Sequence, residues 1–476
     1  MMSIGQSVFA WLPETCLSVG GLAALLSVFS RRRSPALSLA WLALLAAAVG
    51  LLWAPADGGD AFFGLIRLDA LSGVGRWLAF WATALTLVLV SGSPEVESRW
   101  TDECAGLILF VGAGLMLMAE ASHLLMAVVA MELVSLSGYC LVGLGRDARS
   151  SEAALKYLLF GALSSGLMLF GLSLLYGLTG ALEFGALRVA LEAAAPSAQP
   201  LLMTATALVL AGLAFKVSMV PFHMWTPDVY EGAPLPVTAL LSVGPKAAGL
   251  LLLLRLIRAL GPAWTLLQPA LLVLTMATMT LGNLAALSQT NIKRLLAYST
   301  IAQAGYLFIG VIVPGPAGVA SVLIYLAAYL VMNMGIFACA AAACRMARTE
   351  SIEAFRGLAQ RHPALALASA VCLLSLAGLP PLVGFIGKLL LFGAAIESGY
   401  VALAVVGAVN SAIALYYYVN LIRLMYLQAP THVTSLRPSL GVQTGVALCA
   451  AATLLLGLFP SELLAWLSST ASAFLR

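Results

Sequence analysis

Long apolar runs, interrupted by short polar, proline-rich or glycine-rich stretches, dominate this chain. Most approach the roughly 20 residues that an α-helix needs to cross a bilayer. Backbone in lipid must satisfy its own hydrogen bonds, so each run predicts a helix. The interruptions place helices near residues 7–30, 36–54, 70–92, 104–120, 122–142, 153–178, 202–222, 237–260, 264–287, 296–313, 318–343, 363–396, 401–426 and 441–467. The runs lack the period-2 alternation of a transmembrane barrel. The expected fold is an all-α polytopic membrane protein of about 14 transmembrane helices.

Composition agrees. Hydrophobic residues make up 62% of the 476 positions and charged ones 9%, against roughly 25% charged in a soluble domain. The stretch Ser7 to Ser30 lacks a basic leader, contains Pro13 and Glu14, and is followed by Arg31, Arg32 and Arg33. It therefore reads as a retained first helix instead of a signal peptide. The net charge of +4 is spread along the loops, which points to the lipid bilayer and not to nucleic acid as a partner. Seven cysteines occur without a CxxC pair, a pattern that indicates neither an iron–sulfur cluster nor a disulfide framework.

Placing Arg31 to Arg33 in the cytoplasm and alternating sides collects fourteen basic residues inside: those three with Arg99, Arg146, Arg149, Lys293, Arg294, Arg345, Arg348, Arg356, Arg361, Arg423 and Arg437. Six remain outside: Arg67, Arg76, Arg188, Arg255, Arg258 and Arg476. The positive-inside rule favours this arrangement, with both termini outside.

Two segments disrupt the helical pattern within apolar surroundings. Val220 to Pro236 carries Pro221, Pro227, Pro234 and Pro236; Ala377 to Gly387 carries Gly378, Pro380, Pro381, Gly384 and Gly387. Proline removes a backbone donor, and irregular backbone at membrane depth survives only inside protein or beside water. Paired broken helices mark inverted-repeat transporters. Lys216 lies five residues before Pro221 and Lys388 seven after Pro381, so the breaks look like counterparts.

Of five lysines, only Lys293 sits in an obvious loop; Lys156, Lys216, Lys246 and Lys388 fall within apolar stretches. An ammonium at the helix centre costs about 3 kcal/mol on insertion scales, so such residues are expected to face the bundle interior. A buried lysine's proton affinity reflects lost hydration balanced against nearby carboxylates, which lets it exchange a proton at working pH; arginine cannot do this. The alternative is a static role, best suited to Lys156, which follows Arg149 and Glu152 near its helix start.

Glu132, Ser135 and Tyr139 fall three and seven residues apart, on one face of a helix. Glu132 is expected to act on a neighbouring lysine or serve as its fixed counter-ion. His223, in Pro221-Phe222-His223-Met224-Trp225, could extend a water chain or simply pack at the break. Asp228 and Glu231 read as caps of the following helix, and Lys293 with Arg294 as topological anchors. No phosphate loop, dinucleotide fingerprint, metal-spaced set or hydrolytic triad stands out.

The run Phe215-Lys216-Val217-Ser218-Met219-Val220-Pro221-Phe222-His223-Met224-Trp225-Thr226-Pro227-Asp228-Val229-Tyr230-Glu231-Gly232-Ala233-Pro234 closely resembles the signature of the subunit N family of NADH-quinone oxidoreductase, respiratory complex I. Supporting segments are Met131 to Leu136, Glu152 to Tyr157, Lys293 to Ser299, and Ser375 to Pro380 through Gly384 to Lys388, so the resemblance spans roughly residues 100–430. It implies a fourteen-helix antiporter-like fold: N-terminal helices in 1–103, inverted five-helix repeats in 104–260 and 261–430, and a last helix in 431–476. By position, Glu132 matches the family's helix-5 glutamate, Lys156 its helix-6 lysine, and Lys216, Lys246 and Lys388 those of helices 7, 8 and 12; Tyr139, His223 and Ser299 are further candidates along the route. Gln303 stands where relatives often carry a histidine, and Pro245 directly precedes Lys246.

The resemblance further implies proton translocation across a bacterial plasma membrane, driven by quinone reduction elsewhere. No cofactor is expected in this chain; flavin, iron–sulfur clusters and quinone belong to partner subunits. The implied neighbours are the small K-type subunit, the antiporter-like M-type subunit and the lateral helix of the L-type subunit. Two other readings stay open: a subunit of a multisubunit Na+/H+ antiporter without redox input, and a proton-inert scaffold with static charges.

Overall fold

The structure is a computed structural model that describes residues 2–29, 35–54, 58–91, 93, 96, 100–430 and 438–476. The expected anchors Arg31, Arg32, Arg33, Arg99 and Arg437 lie outside the described residues. Among the described residues, twenty α-helices follow in order: α1 (Ile4–Ala10), α2 (Leu12–Ser27), α3 (Ala36–Trp53), α4 (Ala70–Val90), α5 (Thr101–Glu120), α6 (Leu124–Val142), α7 (Ala148–Thr179), α8 (Phe184–Glu192), α9 (Gln199–Val217) and α10 (Trp225–Gly232); then α11 (Leu235–Leu260), α12 (Pro262–Leu287), α13 (Ile292–Ile312), α14 (Gly315–Ala347), α15 (Leu358–Arg361), α16 (Pro363–Ala377), α17 (Val383–Glu397), α18 (Val401–Leu427), α19 (Leu440–Leu458) and α20 (Ser461–Leu475). A two-stranded antiparallel ribbon, β1 (Gly59–Ala61) with β2 (Ile66–Leu68), joins α3 to α4.

Among the described residues, twelve helices are long and apolar enough to cross a membrane, and the pair α1–α2, bent by 66°, would make a thirteenth. The chain is a polytopic membrane protein. Three expected elements differ in form, each for a local reason. The first span bends at Trp11, just before Pro13. The expected helix 363–396 is split at Gly378 into α16 and α17, of 15 residues each. The expected helix 441–467 ends at Leu458, and α20 starts after Pro460, which cannot continue the previous ladder.

Helix starts are set by side chains that satisfy free backbone donors. Asp69 and Ser72 form a reciprocal capping box on α4, Asp147 accepts from Ser150 on α7, and Asn291 accepts from Lys293 and Arg294 on α13. Helices α11, α13 and α14 are buried over almost their whole length, whereas only a third of α7 is. A central column therefore carries polar side chains out of lipid, and peripheral helices keep apolar faces outward. On α7 these include Leu155, Leu159, Leu163 and Phe170. The 33 residues of α14 span about 50 Å at 1.5 Å per residue.

Both breaks begin among buried or half-buried residues and reach the surface, at Pro221 and Met224 in the first and at Pro380 and Pro381 in the second. Helix α9 stops where Ser218 takes a left-handed conformation, φ 63°, and α16 stops at Gly378, φ 89°. The chain after the first break is pinned by aromatic packing: the Trp225 ring stacks on Tyr157 of α7 at 4.5 Å, and its indole N–H donates to the Phe215 carbonyl at 3.1 Å. Helix α11 runs through Pro245 without interruption, so Lys246 keeps a regular helical position.

Candidate functional site

Lys216, Lys246 and Lys388 are 2%, 1% and 3% exposed. Among the described residues, the hydrogen-bond partners of their ammonium groups are neutral oxygens. Lys216, in the last turn of α9, donates to Ser135 Oγ at 2.9 Å and more weakly to the Met131 carbonyl at 3.4 Å, both on α6. Lys246 donates to the Tyr230 hydroxyl of α10 at 2.9 Å. Lys388, on α17, reaches back to the Leu376 and Ala377 carbonyls at 3.0 and 3.2 Å and to Ser411 Oγ at 3.2 Å. Those two carbonyls end α16, where the helix dipole leaves partial negative charge and favours a cation. Among the described residues, no carboxylate lies within ion-pair distance of these three lysines.

The expected partner Glu132 shares a helix face with Ser135 and Tyr139 as its spacing requires, but it is only half-buried. Helix α6 keeps one face exposed, with Leu125, Val129 and Leu136 outward, so its glutamate is not enclosed by the core. Tyr139 packs edge-on against Tyr157 at 4.7 Å. Its hydroxyl occupies the space a Cβ at Gly161 would need, 1.8 Å away.

Four expectations are corrected. Lys156 is not buried: its side chain is 39% exposed and pairs with Glu152 at 2.8 Å and Asp228 at 2.9 Å, because it sits near the polar end of α7. Lys293 is not an exposed loop anchor: it is 4% exposed, donates to the Ala233 carbonyl at 3.0 Å and pairs with Glu350 at 2.5 Å. Asp228 and Glu231 do not cap α11; they lie on α10 and bind Arg294, each at 2.8 Å, while Glu231 also takes Arg149 at 2.7 Å. Arg76 and Arg255, counted among the outside charges, are buried within α4 and α11 at 3% and 6% exposed.

The ion pairs of Arg149, Lys156, Lys293 and Arg294 with Glu152, Asp228, Glu231 and Glu350 form a charge-balanced belt at one end of the bundle. It ties α7, α10 and α13 to the turn after α14 and borders a polar cavity of about 800 Å³. Burial opposes ionisation of Glu350, but the charges of Lys293 and Arg149 outweigh it and hold the carboxyl below its ordinary range.

Between Lys246 and Lys388 the structure reveals a polar line that sequence reasoning missed. Ser242 lies one turn before Lys246 on α11, and its carbonyl accepts from the Tyr329 hydroxyl at 3.1 Å. Tyr325, one turn before Tyr329 on α14, donates to the Gln303 side-chain oxygen. The Gln303 amide donates to the Leu376 carbonyl at 3.2 Å, the same oxygen that Lys388 holds, and lies 3.4 Å from the Tyr418 hydroxyl. Ser299 joins there, 2.5 Å from Tyr418. Beyond Lys388, whose ammonium sits 4.3 Å from the Tyr306 ring centre, Tyr306 accepts from Asn283 at 3.2 Å. Tyr417 donates to the same Asn283 at 3.0 Å. The available signal was the four-residue spacing of Tyr325, Tyr329 and Asn333 in an apolar helix. His223 is buried at the first break, but its Nδ1 has no hydrogen-bond partner and does not join the line.

Hydroxyls and ammonium groups along such a row can exchange protons where they are hydrogen-bonded; no hydrogen bond links Tyr329 to Tyr325 among the described residues. Gln303 can orient its neighbours but carries no titratable proton.

The family model described as "NADH:quinone oxidoreductase/Mrp antiporter, TM" matches residues 121–414. NADH-quinone oxidoreductase subunit N of an Anaeromyxobacter species is 40% identical, with 98% of this chain and 97% of that protein covered. Subunit N 2 of Sorangium cellulosum is 46% identical, covering 84% and 83%. Among solved structures, a chain of respiratory complex I from Thermus thermophilus with bound aureothin is 35% identical at a TM-score of 0.80, covering 95% of this chain and 99% of that one. A chain of the Mrp complex from a Dietzia species shares the fold, with a TM-score of 0.86 at 24% identity over 99% and 98%. By sequence along nearly its full length, the chain belongs to the subunit N family of NADH-quinone oxidoreductase.

Proposed function

We infer that this chain is the proton-translocating subunit N of an NADH-quinone oxidoreductase, and that Lys216, Lys246 and Lys388 carry its protons with Glu132 as the group that perturbs them. The observation that carries this reading is that three ammonium groups lie inside an apolar bundle with neutral partners, two of them, Lys216 and Lys388, beside helix breaks. A structural cation at such cost ordinarily takes a carboxylate, and breaking a buried pair is strongly penalised. Leaving these lysines without one favours groups whose charge changes in use. The identity of 40 to 46% to subunit N relatives, against 24% to the Mrp chain, favours redox-coupled transport over stand-alone antiport.

In the mechanism proposed here, quinone reduction in partner subunits alters the charge near Glu132, which shifts the proton affinity of Lys216. The change passes along Lys246, the Tyr329–Tyr325–Gln303 line and Lys388. Moving one charge against 100 mV requires about 2.3 kcal/mol, within reach of electrostatic coupling between buried groups. We place the ion-pair belt and its cavity on the cytoplasmic side and both termini outside, in a bacterial inner membrane. The full set of spans is fourteen, with inverted repeats in 104–260 and 261–430, each holding one broken helix. The half-buried Glu132 and the apolar face of α7 suit contact with the K-type and M-type subunits and the L-type lateral helix, while flavin, iron–sulfur clusters and quinone reside in partner subunits. Tyr139 orients Ser135, Ser299 serves the line through Tyr418, and Lys156 has an ion-pair role at the membrane edge; His223 supplies a spare proton acceptor at the break.

The test is Lys216→Ala in the assembled enzyme, with proton pumping and NADH-driven electron transfer measured together. Pumping is expected to fall about ten-fold per electron, equivalent to a barrier raised by about 1.4 kcal/mol. Full pumping with intact assembly would overturn the role assigned to Lys216.

A further inference from the structure

A second buried charge cluster lies among the N-terminal helices, apart from the lysine line. Arg76 on α4 donates Nε to Glu14 at 2.8 Å and to Glu120, Nη2 to the second Glu14 oxygen at 3.0 Å, and Nη2 again to the Ala10 carbonyl at 3.1 Å. Glu14 and Glu120 are fully buried and Arg76 is 3% exposed. The bend between α1 and α2 makes the cluster, since it frees the Ala10 carbonyl at the end of α1 and turns the first turn of α2 inward. Gly75 allows α4 to approach α5 so closely that a Cβ there would lie 2.3 Å from Ala119, and this brings Arg76 against Glu120.

The charge count does not close. Two carboxylates share one guanidinium, and Glu120 Oε2 is buried without a hydrogen-bond partner. Among the described residues, no second cation pairs with either carboxylate. Arg255 of α11 donates to the Ala119 carbonyl at 2.6 Å, yet its charge is matched by Asp69, which it holds at 2.6 and 2.9 Å. On α2 the nearby titratable group is Cys16, and α3, packed on α2, carries none. Glu14 Oε1 and Glu120 Oε1 converge on the same Arg76 Nε–H, an approach that sets two carboxylates against each other but suits an acid beside a carboxylate. An unpaired charge in such a site is costly, and the simplest remedy is a proton.

We propose that Glu14 and Glu120, clamped by Arg76, form a proton-binding site that holds one shared proton at neutral pH. The proton is bound as the O–H of one carboxyl donating to the oxygen of the other, leaving a neutral triad with one Arg–carboxylate ion pair. The proposal does not depend on the lysine route.

The test uses Glu14→Gln and Glu120→Gln separately in the assembled complex, with infrared difference spectra of wild type minus variant. Each single replacement is expected to remove the C=O stretch of one buried carboxylic acid, because the remaining carboxylate then pairs alone with Arg76. Assembly and electron transfer are expected at wild-type level in at least one variant, since an amide mimics the protonated acid in size and hydrogen bonding. A carboxylic-acid band of unchanged intensity in an assembled variant would show both groups ionised and overturn the proposal. Failure of both variants to assemble would also overturn it.

Discussion

A buried ammonium is informative through the company it keeps. Lys216, Lys246 and Lys388 take hydroxyls and carbonyls, whereas Lys156 and Lys293 take carboxylates. Lys156→Ala should therefore leave pumping within about two-fold of wild type, because exposed pairs contribute only ~0–1 kcal/mol, while Lys246→Ala should fall with Lys216→Ala; parallel pumping assays compare them. Gln303 offers a sharper case, since its amide links Tyr325, Tyr418 and the Leu376 carbonyl beneath Lys388. Gln303→Leu should cost about 1–3 kcal/mol by leaving buried polar groups unpaired, seen as a lower denaturation midpoint, and should depress pumping. Gln303→His should restore pumping, because imidazole both bonds and titrates. Restored stability without restored pumping would remove Gln303 from the route.

At the scale of elements, the breaks position the charges. Gly378 must be left-handed to end α16, φ 89°, and a Cβ there would come 2.9 Å from Lys388 Cδ. Gly378→Ala is expected to cost about 1–2 kcal/mol in backbone strain and to push Lys388 off the α16 carbonyls, lowering pumping. Gly393→Ala on the same α17 meets nothing within 4 Å and should be neutral or stabilising by up to about 1 kcal/mol. Equal effects of the two changes in pumping and thermal unfolding would contradict this account. The first break works differently. Lys216 precedes it, and the stacking of Trp225 on Tyr157 holds the following segment, so that Tyr230 meets Lys246.

Across the whole molecule, a column of buried helices carries the polar line, and a balanced ion-pair belt closes one end. Glu350 contributes there through a carboxyl held below its ordinary value of 4.5 by Lys293 and Arg149 against the opposing effect of burial. The sign follows from linkage: a depressed folded value means the unfolded chain binds the proton first. The contribution is full above about pH 4.5 and is lost as pH falls through the lower folded value. The gap in denaturation midpoint between wild type and Glu350→Gln should therefore be widest near neutrality and close on acidification. A gap that widens in acid would refute the pairing.

Much of this architecture was legible in the sequence. Apolar run length determines that the segments are helices, because lipid offers the backbone no partners. The same cost makes lysines in such runs conspicuous, and proline with glycine marks the breaks. What the runs lack is a usable direction, since a helix apolar on nearly every side does not announce which face turns inward. Only packing decided that Lys156 meets Asp228 near a membrane edge and that Glu132 is only half-buried. Packing likewise joined residues from different helices: Glu14, Arg76 and Glu120 into one site, Tyr329 to the Ser242 carbonyl, and Tyr325 to Gln303. Composition tells that a buried polar group must find a partner; the tertiary fold chooses which one, because that choice depends on the approach of helices distant in the chain.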